Sequence, residues 1–311
     1  MSAPLEVVSV NLSPGKGTAK KPVPRAEVGP QGLAGDGHAG PWHRQVSLLS
    51  LETIARFNAA HGTRIGPGEF AENLTLRGTD LSGVAVLDRL RFGPVELEVS
   101  QIGKACHGEG CAVFQRVGEC AMPKEGIFAR VVEGGALQPG DRGEHLPRAL
   151  KIHVITLSDR AARGDYPDRS GPRLRQLLEA FFAGKRWHPA FASAVLPDDA
   201  VRLREALEQA IRGGADLIFT TGGTGVGPRD ITPEAVLAVA GKQVPGIMEN
   251  IRAKFGAAKP AALLSRSVAA VAGTTQIYAL PGSVRAVEEY LGEILKTMEH
   301  MIFMLHALDV H

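Results

Sequence analysis

Short apolar runs broken by turns fill the first half of the chain, up to about Leu146. Leu5-Glu6-Val7-Val8-Ser9-Val10 is one such run. Leu90-Arg91-Phe92 and Val95-Glu96-Leu97-Glu98-Val99 form another pair, joined at Gly93-Pro94, and the second member alternates apolar and polar residues with the period of a strand. Residues 48–57 supply one short helix. The pattern predicts a mainly β domain of a small-barrel kind.

Residues 143–148 read as a linker, giving domains at 1–147 and 148–311. Beyond it, strands and helices alternate. Residues 152–157 read as a buried strand, and residues 172–182 as a helix with Leu174, Leu177, Leu178 and Phe181 on one face. Residues 190–196 predict a strand, 198–212 a helix, 217–220 a strand, 232–240 a helix and 276–280 a late strand. From about Ser283, Val284, Val287, Leu291, Ile294, Met298, Met301 and Leu305 fall on one helical stripe. Alternation of this kind predicts an α/β domain with a mostly parallel sheet covered by helices on both faces.

Composition narrows the functional classes. No run of about 18 apolar residues is present, so no membrane span is expected. Met1 to Val10 lacks the layout of a secretory signal, and the three cysteines crowd between Cys106 and Cys120. Together these point to reduced thiols in a cytoplasmic protein. The two halves are nearly balanced in charge, with net +2 for the whole chain. A general nucleic-acid binder would carry a basic excess, so any anion must be held by a local site.

The segment most suited to that task is Thr220-Thr221-Gly222-Gly223-Thr224-Gly225-Val226-Gly227-Pro228-Arg229-Asp230-Ile231-Thr232-Pro233-Glu234. A buried strand runs into glycines, then into a helix start with proline at its first turn. Glycines let backbone N–H groups approach phosphate oxygens, and threonine hydroxyls add donors. The loop matches neither a Walker A motif nor a dinucleotide fingerprint, and a plain tight turn accounts for its glycines equally well. Asp230 follows it, and Asp198 lies at another strand end. Neighbouring parallel strands bring such ends together, so the two carboxylates could share Mg²⁺ with a nucleotide; the alternative for Asp198 is a helix N-cap. Ser158-Asp159 and Asp168-Arg169-Ser170-Gly171 close a third strand end. Ser265-Arg266-Ser267 offers an anion clamp or a surface salt bridge, and Pro281-Gly282-Ser283 a helix N-terminus for an anion or a simple cap.

On these blocks, residues 150–305 closely resemble the molybdopterin adenylyltransferase family, which includes MogA and the G domains of the plant enzyme and gephyrin. The resemblance implies a homotrimer, assembled through this domain, that binds molybdopterin and Mg-ATP. It implies transfer of AMP to the pterin phosphate with release of pyrophosphate. Asp198 and Asp230 match the aspartates on which the family relies for catalysis. Ser158, Asp159, Asp168, Arg169, Ser170, Gly171, Thr221, Gly222, Gly223, Thr224, Gly225, Ser265, Arg266, Pro281, Gly282 and Ser283 fall in its ligand-binding motifs.

The first half resembles a MOSC domain, the module at the C-terminus of molybdenum-cofactor sulfurases. The match runs through Gly35-Asp36-Gly37-His38, Gly68-Glu69-Phe70-Ala71-Glu72-Asn73-Leu74, Leu87-Asp88-Arg89-Leu90 and Glu98-Val99-Ser100-Gln101, and ends at Cys106. The resemblance implies cofactor binding or sulfur carriage by the Cys106 thiolate. The spacing of Cys106, His107, Cys111 and Cys120 lacks the paired Cys-x-x-Cys of common zinc sites. A pterin carrier without adenylyl transfer, or Cys106-dependent sulfur transfer as the main activity, are the competing readings. A molybdenum insertase or a sulfur donor is the implied protein partner.

Overall fold

The computed structural model describes residues 4–16, 18–78, 81–104, 114 and 118–308. Cys106, His107 and Cys111 lie outside them. The chain divides into two compact units, Met1–Arg148 and Ala149–His311. Among the described residues, no helix is long and apolar enough to cross a membrane.

In the first unit seven strands close a mixed barrel, in the order Leu5–Leu12, Leu74–Arg77, Val46–Ser50, Ile127–Glu133, Val95–Ile102, Arg89–Phe92 and Arg142–Leu146, the last pairing back onto the first. Val46–Ser50 and Leu74–Arg77 run parallel, and the other neighbours antiparallel. Alternation fills the interior: Leu90 and Phe92 point inward while Arg89 and Arg91 stay exposed, and the two join Val7, Leu48, Leu74, Leu97 and Ile127. The hairpin expected around Gly93-Pro94 is present.

Two boundaries differ from expectation. Residues 48–50 are strand, not helix. The Ser50 hydroxyl accepts the Thr53 N–H at 3.0 Å, and this cap starts the helix Leu51–His61. The polar segment 143–146, read as linker, is part of the closing strand Arg142–Leu146. Its backbone pairs with Arg89–Phe92, which a hydropathy pattern cannot reveal.

A buried polar layer lies under the Gly35–His38 and Gly68–Asn73 motifs. Lys20 and Asp36, both side chains fully buried, pair at 2.5 Å. Burial alone would raise the Asp36 pKa, but hydrogen bonds from His38 and Lys20 override it and hold the carboxyl far below its usual range. Glu72 behaves oppositely. One of its oxygens accepts the Gly68 N–H (2.6 Å) and the Thr75 hydroxyl (2.7 Å), the other meets no partner, and burial pushes its pKa up.

A raised folded-state pKa contributes stability below the unfolded value, and that contribution is lost as pH rises through the folded value. Glu72→Gln keeps the accepting oxygen and cannot ionise. Thermal melts from pH 4 to pH 9 are therefore expected to show the variant gaining on the wild type as pH rises. A constant difference across that range would count against a strained carboxylate.

In the second unit the sheet runs His188–Leu196, Ala149–Leu157, Leu217–Thr221, Thr275–Leu280, Val268–Ala272 and Lys242–Gln243. The first four are parallel and the last two antiparallel to their neighbours. Helices cover both faces, as alternation predicts. Ile155, Leu157, Ile218, Ile277 and Ala279 meet Leu203 and Leu207 of the helix Ala200–Arg212 and Val236 of Thr232–Val239. The helices Ser170–Phe182 and Val284–Leu305 pack together, burying Leu174, Leu178, Val287, Leu291, Ile294 and Met298.

Phe182 rather than Phe181 completes the buried face of Ser170–Phe182, and Leu177 and Phe181 are only half-buried. The helix Pro245–Gly256 and the strand Val268–Ala272 carry no clear signal in the sequence pattern. Their small and mixed residues give neither period clearly.

Candidate functional site

Four parallel strands end on the same side, and the loops leaving them are tied together. After Ala149–Leu157, Ser158 caps the short helix Asp159–Ala162, its hydroxyl accepting the Ala161 N–H at 3.2 Å. Asp159 and Asp198 then lash two loops reciprocally. The Asp198 N–H donates to Asp159 Oδ1 at 3.0 Å, and the Asp159 N–H to Asp198 Oδ2 at 3.3 Å. Arg229, next to Asp230 in the glycine loop, donates to Asp159 Oδ2 at 2.8 Å. A single carboxylate thus links three strand ends.

Asp198 is not the helix cap. Asp199 is, accepting the N–H groups of Val201 (2.9 Å) and Arg202 (3.0 Å). The capping alternative for Asp198 falls away, and its Oδ1 meets no partner among the described residues. Asp168 shapes the next loop, taking the Thr156 hydroxyl at 2.7 Å and the Ser170 hydroxyl and Gly171 N–H at 3.1 Å.

The glycine loop is held from beneath. The Gly222 N–H donates to Leu280 O at 2.9 Å, the Thr232 hydroxyl to Gly222 O at 2.8 Å, and the Thr221 hydroxyl to Pro281 O at 3.2 Å. Gly222 has φ +105, and a Cβ there would sit 2.3 Å from the Leu157 carbonyl oxygen. Asp230 folds back under the loop, its Oδ2 accepting the Gly227 N–H at 2.8 Å. A Cβ on Gly225 would lie 2.7 Å from that same carboxylate. Among the described residues, the N–H groups of Gly223, Thr224 and Gly225 meet no acceptor, although Thr224 is buried.

Arg266 grips the loop by its backbone. Its guanidinium donates to Gly225 O (2.6 Å), Asp230 O (2.5 Å) and the Glu234 carboxylate, which this hydrogen bond holds below the usual carboxylate range. The salt-bridge alternative is therefore what the structure contains, and it stabilises the loop's shape. The Ser265 and Ser267 hydroxyls are 2.8 Å apart beside a groove of about 490 Å³ that Val226, Met248 and Arg266 help to line. Ser283 caps the helix Val284–Leu305 through the Ala286 N–H at 3.2 Å, and Gly282 lies against Gly222.

Among the described residues, Asp159, Asp198 and Asp230 do not close into a three-ligand metal cluster. Asp198 and Asp230 each keep one carboxylate oxygen without a hydrogen bond among the described residues. The strands they follow are not neighbours, since Ala149–Leu157 lies between them, and Asp159 at its end links Asp198 to Arg229. Hard oxygen donors of that number suit Mg²⁺, which takes one or two carboxylates and completes its shell with phosphate oxygens and water.

An open α/β sheet with glycine-rich, carboxylate-bearing loops at its strand ends is the layout of a small-ligand-binding domain. Known sequences specify which one. A model for the molybdenum-cofactor biosynthesis family, described as a probable molybdopterin binding domain, matches residues 153–300, and a MOSC-domain model matches residues 35–144. A molybdopterin adenylyltransferase of Haemophilus influenzae is 36% identical over 143 residues, covering 46% of this chain and 71% of its own. The molybdopterin adenylyltransferase of Pyrococcus furiosus is 36% identical over 168 residues, covering 52% and 94%. A molybdenum cofactor biosynthesis bifunctional protein of Synechococcus elongatus is 37% identical over 156 residues, and this chain spans 47% of its length. The chain belongs to the molybdenum-cofactor biosynthesis family and joins its MogA-type domain to a MOSC domain.

Proposed function

We propose that the second unit transfers AMP from ATP to the terminal phosphate of molybdopterin. The observation that carries this reading is the run of uncommitted N–H groups at Gly223, Thr224 and Gly225, with an open carboxylate oxygen on Asp230 of the same loop and another on Asp198, whose loop Asp159 ties to this one. Successive backbone donors of this kind form an anion cradle, and the carboxylates supply the metal side of a phosphate site.

A pterin phosphate oxygen attacks the α-phosphorus of ATP. A P–O bond forms there, the bond to the bridging oxygen of the β-phosphate breaks, and pyrophosphate leaves. The attacking phosphate is already ionised, so no side chain need remove a proton. The loop N–H groups orient the phosphates for in-line attack, and the Asp159–Asp198 and Asp159–Arg229 contacts fix the spacing of the loops. Asp198 and Asp230 would hold Mg²⁺, which supplies charge neutralisation for the leaving pyrophosphate. Thr221, Asp168 and Arg266 are positioning residues, shaping backbone that faces ligand.

The first unit is proposed to bind the same cofactor or carry sulfur to it, and the family resemblance implies that the second assembles as a homotrimer. Purified full-length protein incubated with molybdopterin, ATP and Mg²⁺ is expected to yield adenylylated pterin and pyrophosphate in equal amounts. Pterin retained by the protein with no pyrophosphate formed would replace this reading with that of a carrier.

A further inference from the structure

A site for two phosphorylated molecules needs cations, and most of those on the strand-end loops are already engaged. Arg229 is paired with Asp159, and Arg266 is spent on Gly225 O, Asp230 O and Glu234. Arg160 and Arg169 differ. Among the described residues neither guanidinium has a carboxylate or carbonyl partner, yet both gather on one aromatic ring. Their guanidinium carbons lie 5.1 Å and 5.5 Å from the centroid of Tyr166, which is 37% exposed. Each contact orients a guanidinium over the ring without neutralising its charge. Arg160 stands on the short helix Asp159–Ala162, directly after the carboxylate that ties the strand ends together, and Arg169 follows Asp168 at the N-cap of Ser170–Phe182.

We propose that Arg160 and Arg169, gathered by Tyr166, clamp the β- and γ-phosphates of the nucleoside triphosphate and hold them as they depart as pyrophosphate. Two monocations held on one ring offer a separate partner to each of two linked phosphates. A pterin monophosphate or the single phosphate of AMP offers them only one group. The proposal rests on the adenylyl-transfer reading, and it adds Arg160 and Tyr166 to the site.

Isothermal titration of the full chain with Mg-ATP, magnesium pyrophosphate, AMP and molybdopterin tests it, using Arg160→Ala, Arg169→Ala and the double variant. Thermal melts confirm that these exposed positions leave the fold intact. ATP and pyrophosphate affinity should fall about tenfold per arginine, the usual scale for a charge-assisted hydrogen bond, while AMP and molybdopterin change less than about twofold. ATP affinity unchanged in the double variant, AMP weakened as much as ATP, or molybdopterin weakened with ATP intact would each overturn the clamp alone. Wild-type protein that binds none of the nucleotides would overturn the clamp and the adenylyl-transfer reading together.

Discussion

Asp230→Ala is expected to slow adenylyl transfer about a hundredfold to a thousandfold, the range found when one element of transition-state charge stabilisation is removed. Two contributions are lost at once. The carboxylate's Oδ2 no longer accepts the Gly227 N–H, and its unengaged oxygen no longer faces the cradle. The first loss is local and costs about 1 kcal/mol of stability at an exposed loop. The second bears on the chemistry. Asp230→Asn separates them, because the amide oxygen can still take the Gly227 N–H while the charge is gone. Pyrophosphate release measured for both variants should be similarly depressed, with melting temperatures near wild type. Full turnover in Asp230→Asn would assign Asp230 a purely structural role.

Gly222→Ala should be the more damaging change to stability, at about 4 kcal/mol. A non-glycine residue at φ +105 costs about 1–3 kcal/mol, and the new Cβ, 2.3 Å from the Leu157 carbonyl oxygen, adds an overpacking penalty of similar size. Neither neighbour can yield easily. Leu157 ends a central strand, and Gly222 itself is pinned by its N–H to Leu280 O at 2.9 Å. Gly292→Ala is the matched control, since that helical glycine has nothing within 4 Å of its would-be Cβ and should be neutral or stabilising. Chemical denaturation followed by circular dichroism distinguishes the two. Equal midpoints for both variants would show that the loop tolerates a side chain at Gly222.

The fold class was legible because period and turn chemistry agreed along most of the chain. Leu90 and Phe92 alternate cleanly, and Leu203 with Leu207, and Val287 with Leu291 and Ile294, repeat at helical spacing. Where they failed, tertiary pairing overrode local pattern. Arg142–Leu146 is a strand because the barrel needs a closing partner, not because its own residues favour one. The loop sequence likewise placed Asp198, Asp230 and the glycines at strand ends, but did not show that Ala149–Leu157 lies between the two strands concerned. It could not show that Asp199 rather than Asp198 caps the helix, since adjacent aspartates are indistinguishable until one side chain turns to the helix. Nor could it show that Arg266 faces inward to three loop acceptors, a property of two segments 36 residues apart. The pairing of Arg160 and Arg169 through Tyr166 was invisible for the same reason.

The grip of Arg266 has a mechanical consequence. Because the residue after it, Ser267, leads directly into Val268–Ala272, the antiparallel margin of the sheet is yoked to the glycine turn. Occupancy at the turn should then be felt along that margin as slower amide exchange at Val268 and Ala269. Those two positions give an observer a remote gauge of whether the cradle is filled, without any label placed in it.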